Sequence, residues 1–137
     1  MTTEVHVARA VATIAPGSPD YHVAIRTNGH ELSADEPPSN GGGDTGPSPF
    51  GLLLSGLVSC TAITLRMYAQ RKGWEFDSIE VDARYDIGDD GTRTILRTIT
   101  LPAGLDDDAR TRLAEIAEKT PVTKAVRAGT LIATALK

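Results

Sequence analysis

Pro49-Phe50-Gly51-Leu52-Leu53-Leu54-Ser55-Gly56-Leu57-Val58-Ser59-Cys60-Thr61-Ala62-Ile63-Thr64-Leu65-Arg66-Met67-Tyr68-Ala69 holds the single cysteine of this chain inside an almost unbroken apolar run. Ser48 suits an N-cap, Pro49 suits a first helical position, and Gly73 suits a stop, so the segment predicts one helix from Pro49 to about Lys72. At ~1.5 Å per residue such a helix is about 35 Å long. Leu53, Leu57, Cys60, Thr64 and Met67 recur at steps of three and four, which places Cys60 on an apolar stripe with Arg66, Gln70 and Arg71 off it. Because the run from Leu52 to Ala69 is apolar on nearly all sides, the helix is expected in the core and not on the surface.

Upstream, Val5 to Ile14 and Tyr21 to Arg26 have the near-alternation of strands, separated by the turn Pro16-Gly17-Ser18-Pro19. Asn28-Gly29 is the strongest short hairpin signal, so His30 to Ala34 is expected to return as a third strand. From Asp35 to Pro49 the chain is rich in Gly, Pro, Ser, Asp and Asn and reads as a long loop, of the kind that is usually functional or mobile. Downstream, Phe76 to Ile87 and Thr92 to Leu101 read as strands around Gly88-Asp89-Asp90-Gly91. Asp106-Asp107-Asp108 opens a helix to about Lys119, with Leu113, Ile116 and Ala117 inward. Pro121 ends it, a further turn or two follows to Arg127, and Leu131 to Leu136 reads as a last strand. The expected fold is α+β, in the order β-β-β-α-β-β-α-β, as one domain over residues 1–137.

With 40% hydrophobic residues the chain can bury a core, and its 4% aromatic content leaves most of that core to aliphatic side chains. A net charge of −4 gives no basic footprint for nucleic acid or an anionic membrane surface. No stretch is read as reaching the ~20 apolar residues of a bilayer span, and no basic, apolar leader is seen. One cysteine cannot close an internal disulfide, so the cytoplasm is the expected location. His6, His22 and His30 make no zinc spacing with a cysteine, no Gly-x-Ser-x-Gly word supports a hydrolase, and Gly41-Gly42-Gly43 lacks the Lys-Ser/Thr partner of a phosphate loop. No metal or cofactor is expected.

The words around Cys60 resemble the OsmC/Ohr family of thiol-dependent hydroperoxide reductases. Gly46-Pro47-Ser48-Pro49, the leucines, Cys60-Thr61-Ala62-Ile63-Thr64-Leu65-Arg66-Met67-Tyr68-Ala69 and Arg71-Lys72-Gly73-Trp74 look like that family's first-cysteine helix and the turn after it. Asp35-Glu36-Pro37 with Gly41-Gly42-Gly43-Asp44-Thr45-Gly46-Pro47 resembles the loop entering that helix, and Arg112 to Lys119 followed by Thr120-Pro121-Val122 resembles the second helix and second-cysteine motif. The resemblance implies an intertwined homodimer with the cysteine helices central, and it makes Cys60 the peroxidatic nucleophile. It also marks two departures. The position of the second, resolving cysteine is Thr120, and the position of the glutamate that anchors an arginine beside the thiolate is Gly51.

Arg26, at the end of the second predicted strand, is the candidate for that arginine, with Arg66 and Arg127 as alternatives. Thr120 also has a plain structural use, bonding a helix-end carbonyl while Pro121 stops the helix, and Thr123 has no assigned role. Two functions stay open at this point. One is a peroxidase reducing organic hydroperoxides through Cys60 with an external thiol as resolver. The other is a catalytically degenerate relative whose dimer-interface pocket binds an apolar small molecule or lipid.

Overall fold

A computed structural model describes residues 3–137. The chain forms two compact units, one ending at Leu52 and one running from Leu53 to Lys137.

In the first unit β1 (Ala10–Thr13), β2 (Val23–Thr27) and β3 (His30–Ala34) form an antiparallel sheet in that order. Thr27 pairs with His30 across the two-residue turn, where Asn28 has φ 49° and Gly29 φ 78°. Both positive φ values are what the predicted Asn-Gly hairpin needs. β1 is shorter than the expected Val5–Ile14 strand: Val5 and Val7 are exposed and outside the ladder. Alternation alone does not make a strand where no edge is offered to pair with.

The loop after β3 is ordered by a buried carboxylate. Asp35 Oδ1 accepts from the Glu36 amide at 2.7 Å, and Oδ2 accepts from the Thr45 hydroxyl at 2.6 Å and the Thr45 amide at 3.2 Å. The Thr45 hydroxyl bond, followed by the amide bonds, holds the Asp35 carboxyl below the usual carboxylate range against the opposing effect of burial. Backbone runs tight here, since a Cβ on Gly46 would lie 2.7 Å from the Ser33 carbonyl oxygen, which accounts for glycine at that position.

The helix α1 (Pro49–Lys72) has the bounds that its sequence predicts. The Ser48 hydroxyl accepts from the Gly51 amide at 3.1 Å, and Gly73 turns left-handed at φ 69° while Trp74 N–H reaches the Ala69 carbonyl at 2.9 Å. Its buried face differs from the expected one. Leu57, Thr61, Leu65 and Ala69 are the buried residues, at steps of four, whereas Leu53, Ile63 and Met67 are exposed and Cys60 is half-buried. The helix is therefore covered on one stripe and not on all sides. At 24 residues it is also long and apolar enough to cross a bilayer by length and composition, which corrects the expectation that no segment is. Its stripe packs into protein, as in the core helix of a globular fold.

In the second unit β4 (Glu80–Ile87) and β5 (Arg93–Thr100) pair antiparallel, followed by α2 (Asp107–Ala117) and α3 (Pro121–Ala128). Asp106 caps α2 by accepting from the Ala109 amide at 2.8 Å. Leu65 and Ala69 of α1 meet Leu113 and Ala117 of α2, with Phe76 and Leu105, in the core of this unit. The last expected strand does not form. Residues 129–137 have no regular structure, and Leu131 and Leu136 are 95% and 97% exposed. A strand is stable only against an edge, and among the described residues none is paired with it. The observed order is thus β-β-β-α-β-β-α-α, and the α+β class holds.

Candidate functional site

β5 alternates so that Ile95, Arg97 and Ile99 point inward, which puts the Arg97 guanidinium between two isoleucines on one strand face. The Arg97 side chain is 12% exposed. Its Nη1 donates to Thr61 Oγ1 at 3.0 Å and Thr123 Oγ1 at 2.8 Å, and Nη2 donates to the Ala117 carbonyl at 3.1 Å and faces Glu118 Oε1 at 3.6 Å. Thr61 passes its own proton to the Leu57 carbonyl at 2.7 Å, so its lone pairs are available to Arg97. One guanidinium thus ties α1, β5, the end of α2 and α3 together.

Thr120, in the place of the expected resolving thiol, is fully buried and its hydroxyl meets that of Thr123 at 2.6 Å. It makes no side-chain cap on α3, so its bond goes to Thr123 and not to the helix-end carbonyl that the sequence suggested. Thr123, given no role from sequence, is the junction: it links Thr120 to Arg97 and approaches the Ala117 carbonyl at 3.4 Å. Cys60 sits next to Thr61 on α1, off the buried stripe and partly open to solvent.

Beside this cluster lies a groove of 580 Å³, open to solvent. Leu57, Ile95 and Val126 are among its apolar lining, and Arg93, Arg97, Arg127 and Glu118 are its charged lining. Cys60 is outside this lining. Arg127 Nη2 pairs with the Glu118 carboxylate while Nη1 donates to the Glu118 carbonyl at 3.2 Å. The Arg127 hydrogen bond, with the charges of Arg127 and Arg97, holds the Glu118 carboxyl below its usual range although partial burial opposes this.

The other sequence candidates are placed differently. Arg26 lies on the exposed face of β2 in the first unit, in register with Val11 and Glu31, and lines a shallow groove of that sheet. It and Cys60 fall in different units. Arg66 is engaged by the Phe76 carbonyl at 3.0 Å. Gly51 occupies the first turn of α1, where a Cβ would meet only the Ser48 hydroxyl at 3.2 Å and Pro47 Cβ at 3.8 Å. Arg97, which the sequence did not single out, is the arginine of this polar cluster, and its signal was a charged residue on the Ile95–Ile99 face of a strand.

The family model for OsmC-like protein matches residues 41–135. An OsmC-like protein of Mycoplasma pneumoniae superposes with a TM-score of 0.69 at 16% identity, covering 89% of this chain and 88% of its own. The organic hydroperoxide resistance protein OhrB of Bacillus subtilis gives a TM-score of 0.60 at 23% identity, covering 89% and 91%. An organic hydroperoxide resistance protein of Elizabethkingia anophelis gives 0.68 at 19% identity, covering 92% and 91%. No curated protein matches the chain.

Proposed function

This chain belongs to the family of OsmC-like proteins, and from that premise we propose that it reduces organic hydroperoxides through Cys60, with an external thiol completing the cycle. The observation that carries the proposal is the place of Cys60: on α1, partly open, and off the stripe that α1 spends on the core. The Cys60 thiolate attacks the distal peroxide oxygen and the O–O bond breaks. The alkoxide leaves as the alcohol with a proton from solvent, and the sulfur is left as a sulfenic acid. An external thiol then condenses with the sulfenic acid, releasing water, and a second external thiol reduces the mixed disulfide. Thr120 cannot take the resolving part, because a hydroxyl forms no disulfide.

The working form we propose is a cytoplasmic homodimer. The exposed Leu53, Ile63 and Met67 of α1 and the unpaired apolar tail at Leu131–Leu136 support it, since a single chain leaves this surface in water. Light scattering after size exclusion is expected to give twice the chain mass, and a species of 14.5 kDa would contradict it.

A second reading, a ligand-binding relative without turnover, is favoured by the replaced positions and by a groove that Cys60 does not line. The substitutions Gly51→Glu and Thr120→Cys separate the two. Only the adjustable Ser48 hydroxyl crowds a side chain at Gly51, and a carboxylate suits the start of α1. Thr120→Cys is nearly isosteric and lies, through Thr123 and Arg97, three hydrogen bonds from Thr61, the neighbour of Cys60. The double variant is expected to gain about tenfold or more in peroxide turnover with a dithiol, in keeping with the ~1.4 kcal/mol that one restored charge contact supplies. It is also expected to lose two hydrogens in mass after one equivalent of peroxide. A folded double variant showing neither change favours the ligand-binding reading.

A further inference from the structure

We infer that the groove between β5 and α3 is a binding site for a carboxylate carried on an apolar chain, separate from the chemistry at Cys60. Three guanidinium groups, Arg93, Arg97 and Arg127, line the groove, and the ion pairs they make among the described residues all go to one carboxylate, Glu118. Arg93 adds only a 3.3 Å contact from Nη1 to the Tyr85 hydroxyl, so a cation at the groove is left without a carboxylate partner. The rest of the lining includes the apolar side chains of Leu57, Ile95 and Val126. A ligand acidic at one end and hydrocarbon at the other meets both kinds of lining, whereas a wholly apolar ligand leaves Arg93 without an anion. The volume of 580 Å³ lies within the range of about 300–1,000 Å³ typical of small-molecule sites.

Glu118 shows how the anion is held. Its carboxylate lies between Arg127 and Arg97, yet the side chain is 58% exposed, so it is an internal occupant that a ligand carboxylate can displace or join. This gives the site two charge-changing variants of opposite expected effect. Arg93→Gln removes a cation from an exposed position with a single weak contact, and Glu118→Gln removes the competing anion.

The test is calorimetric titration of the full chain with decanoate and with decanol, read as binding and not as turnover, so that its failure and the failure of the peroxidase reading are distinguishable. Saturable decanoate binding is expected, with decanol at least about tenfold weaker, as one charge-assisted contact implies. Arg93→Gln should weaken decanoate by about tenfold and Glu118→Gln should strengthen it by a similar factor, with decanol unmoved by either. The inference is overturned if decanoate gives no saturable heat, if decanol binds as tightly, or if neither variant changes the decanoate affinity.

Discussion

Cys60→Ser should bring the consumption of cumene hydroperoxide down to the rate seen without protein. The two side chains are close in size and position 60 is only half-buried, so the fold is expected to keep its stability. What changes is the nucleophile. A thiolate is accessible near neutral pH, whereas the alkoxide of a serine is not. Cys60 is the only cysteine in the chain, so no second thiol can take over. The measurement is peroxide loss with a monothiol and, separately, a dithiol in excess. Unchanged turnover in the variant, with either reductant, would show that Cys60 is not the reacting group.

Arg97→Met should be the most destabilising single change in the second unit, by about 2–4 kcal/mol, because it removes the charged member of a buried hydrogen-bonded cluster and leaves its partners behind. The Ala117 carbonyl and the Thr123 hydroxyl each lose the guanidinium donor, and Thr61 loses the bond that joins α1 to α3. Methionine fills much of the volume, so the loss reports the hydrogen bonds more than a cavity. Arg97→Lys is expected to recover only part of it, since a single ammonium cannot reproduce two nitrogens bonding Thr61 and Thr123 on one side and Ala117 on the other. Urea unfolding at fixed protein concentration should show a midpoint lowered by roughly 1 M or more with an unchanged slope. A midpoint equal to that of the parent would contradict the reading of Arg97 as the tie between these elements.

The parts of the fold that were legible from sequence are those fixed by local chemistry. Ser48, Pro49 and Gly73 bound α1 to the residue, Asn28-Gly29 sets the register of β2 and β3, and Asp106 caps α2. The face of α1 was not legible, because a helix apolar all round has no directional periodicity, and the buried stripe was chosen by α2 and not by the helix. The strand expected at Leu131–Leu136 failed for a related reason: its pattern is that of a strand, but pairing depends on an edge elsewhere.

The site divides in the same way. Cys60, Gly51 and Thr120 were named by motif, and Thr120 falls in the polar cluster that the structure builds. Arg97 and Thr123 were missed because their contact joins residues 26 apart, between a strand and a helix that no local rule brings together. Alternation along β5 puts Arg97 on the Ile95–Ile99 face, but it does not name the helix residues that the guanidinium meets there.

The central claim is that Cys60 is oxidised by a peroxide, and it is tested most directly by trapping the product. The protein is treated with one equivalent of cumene hydroperoxide in the presence of dimedone, then digested and analysed by mass spectrometry. The account predicts a dimedone adduct on Cys60, formed together with one equivalent of the alcohol, because dimedone captures the sulfenic acid before it goes further. An unmodified Cys60 thiol with the peroxide left intact would contradict it.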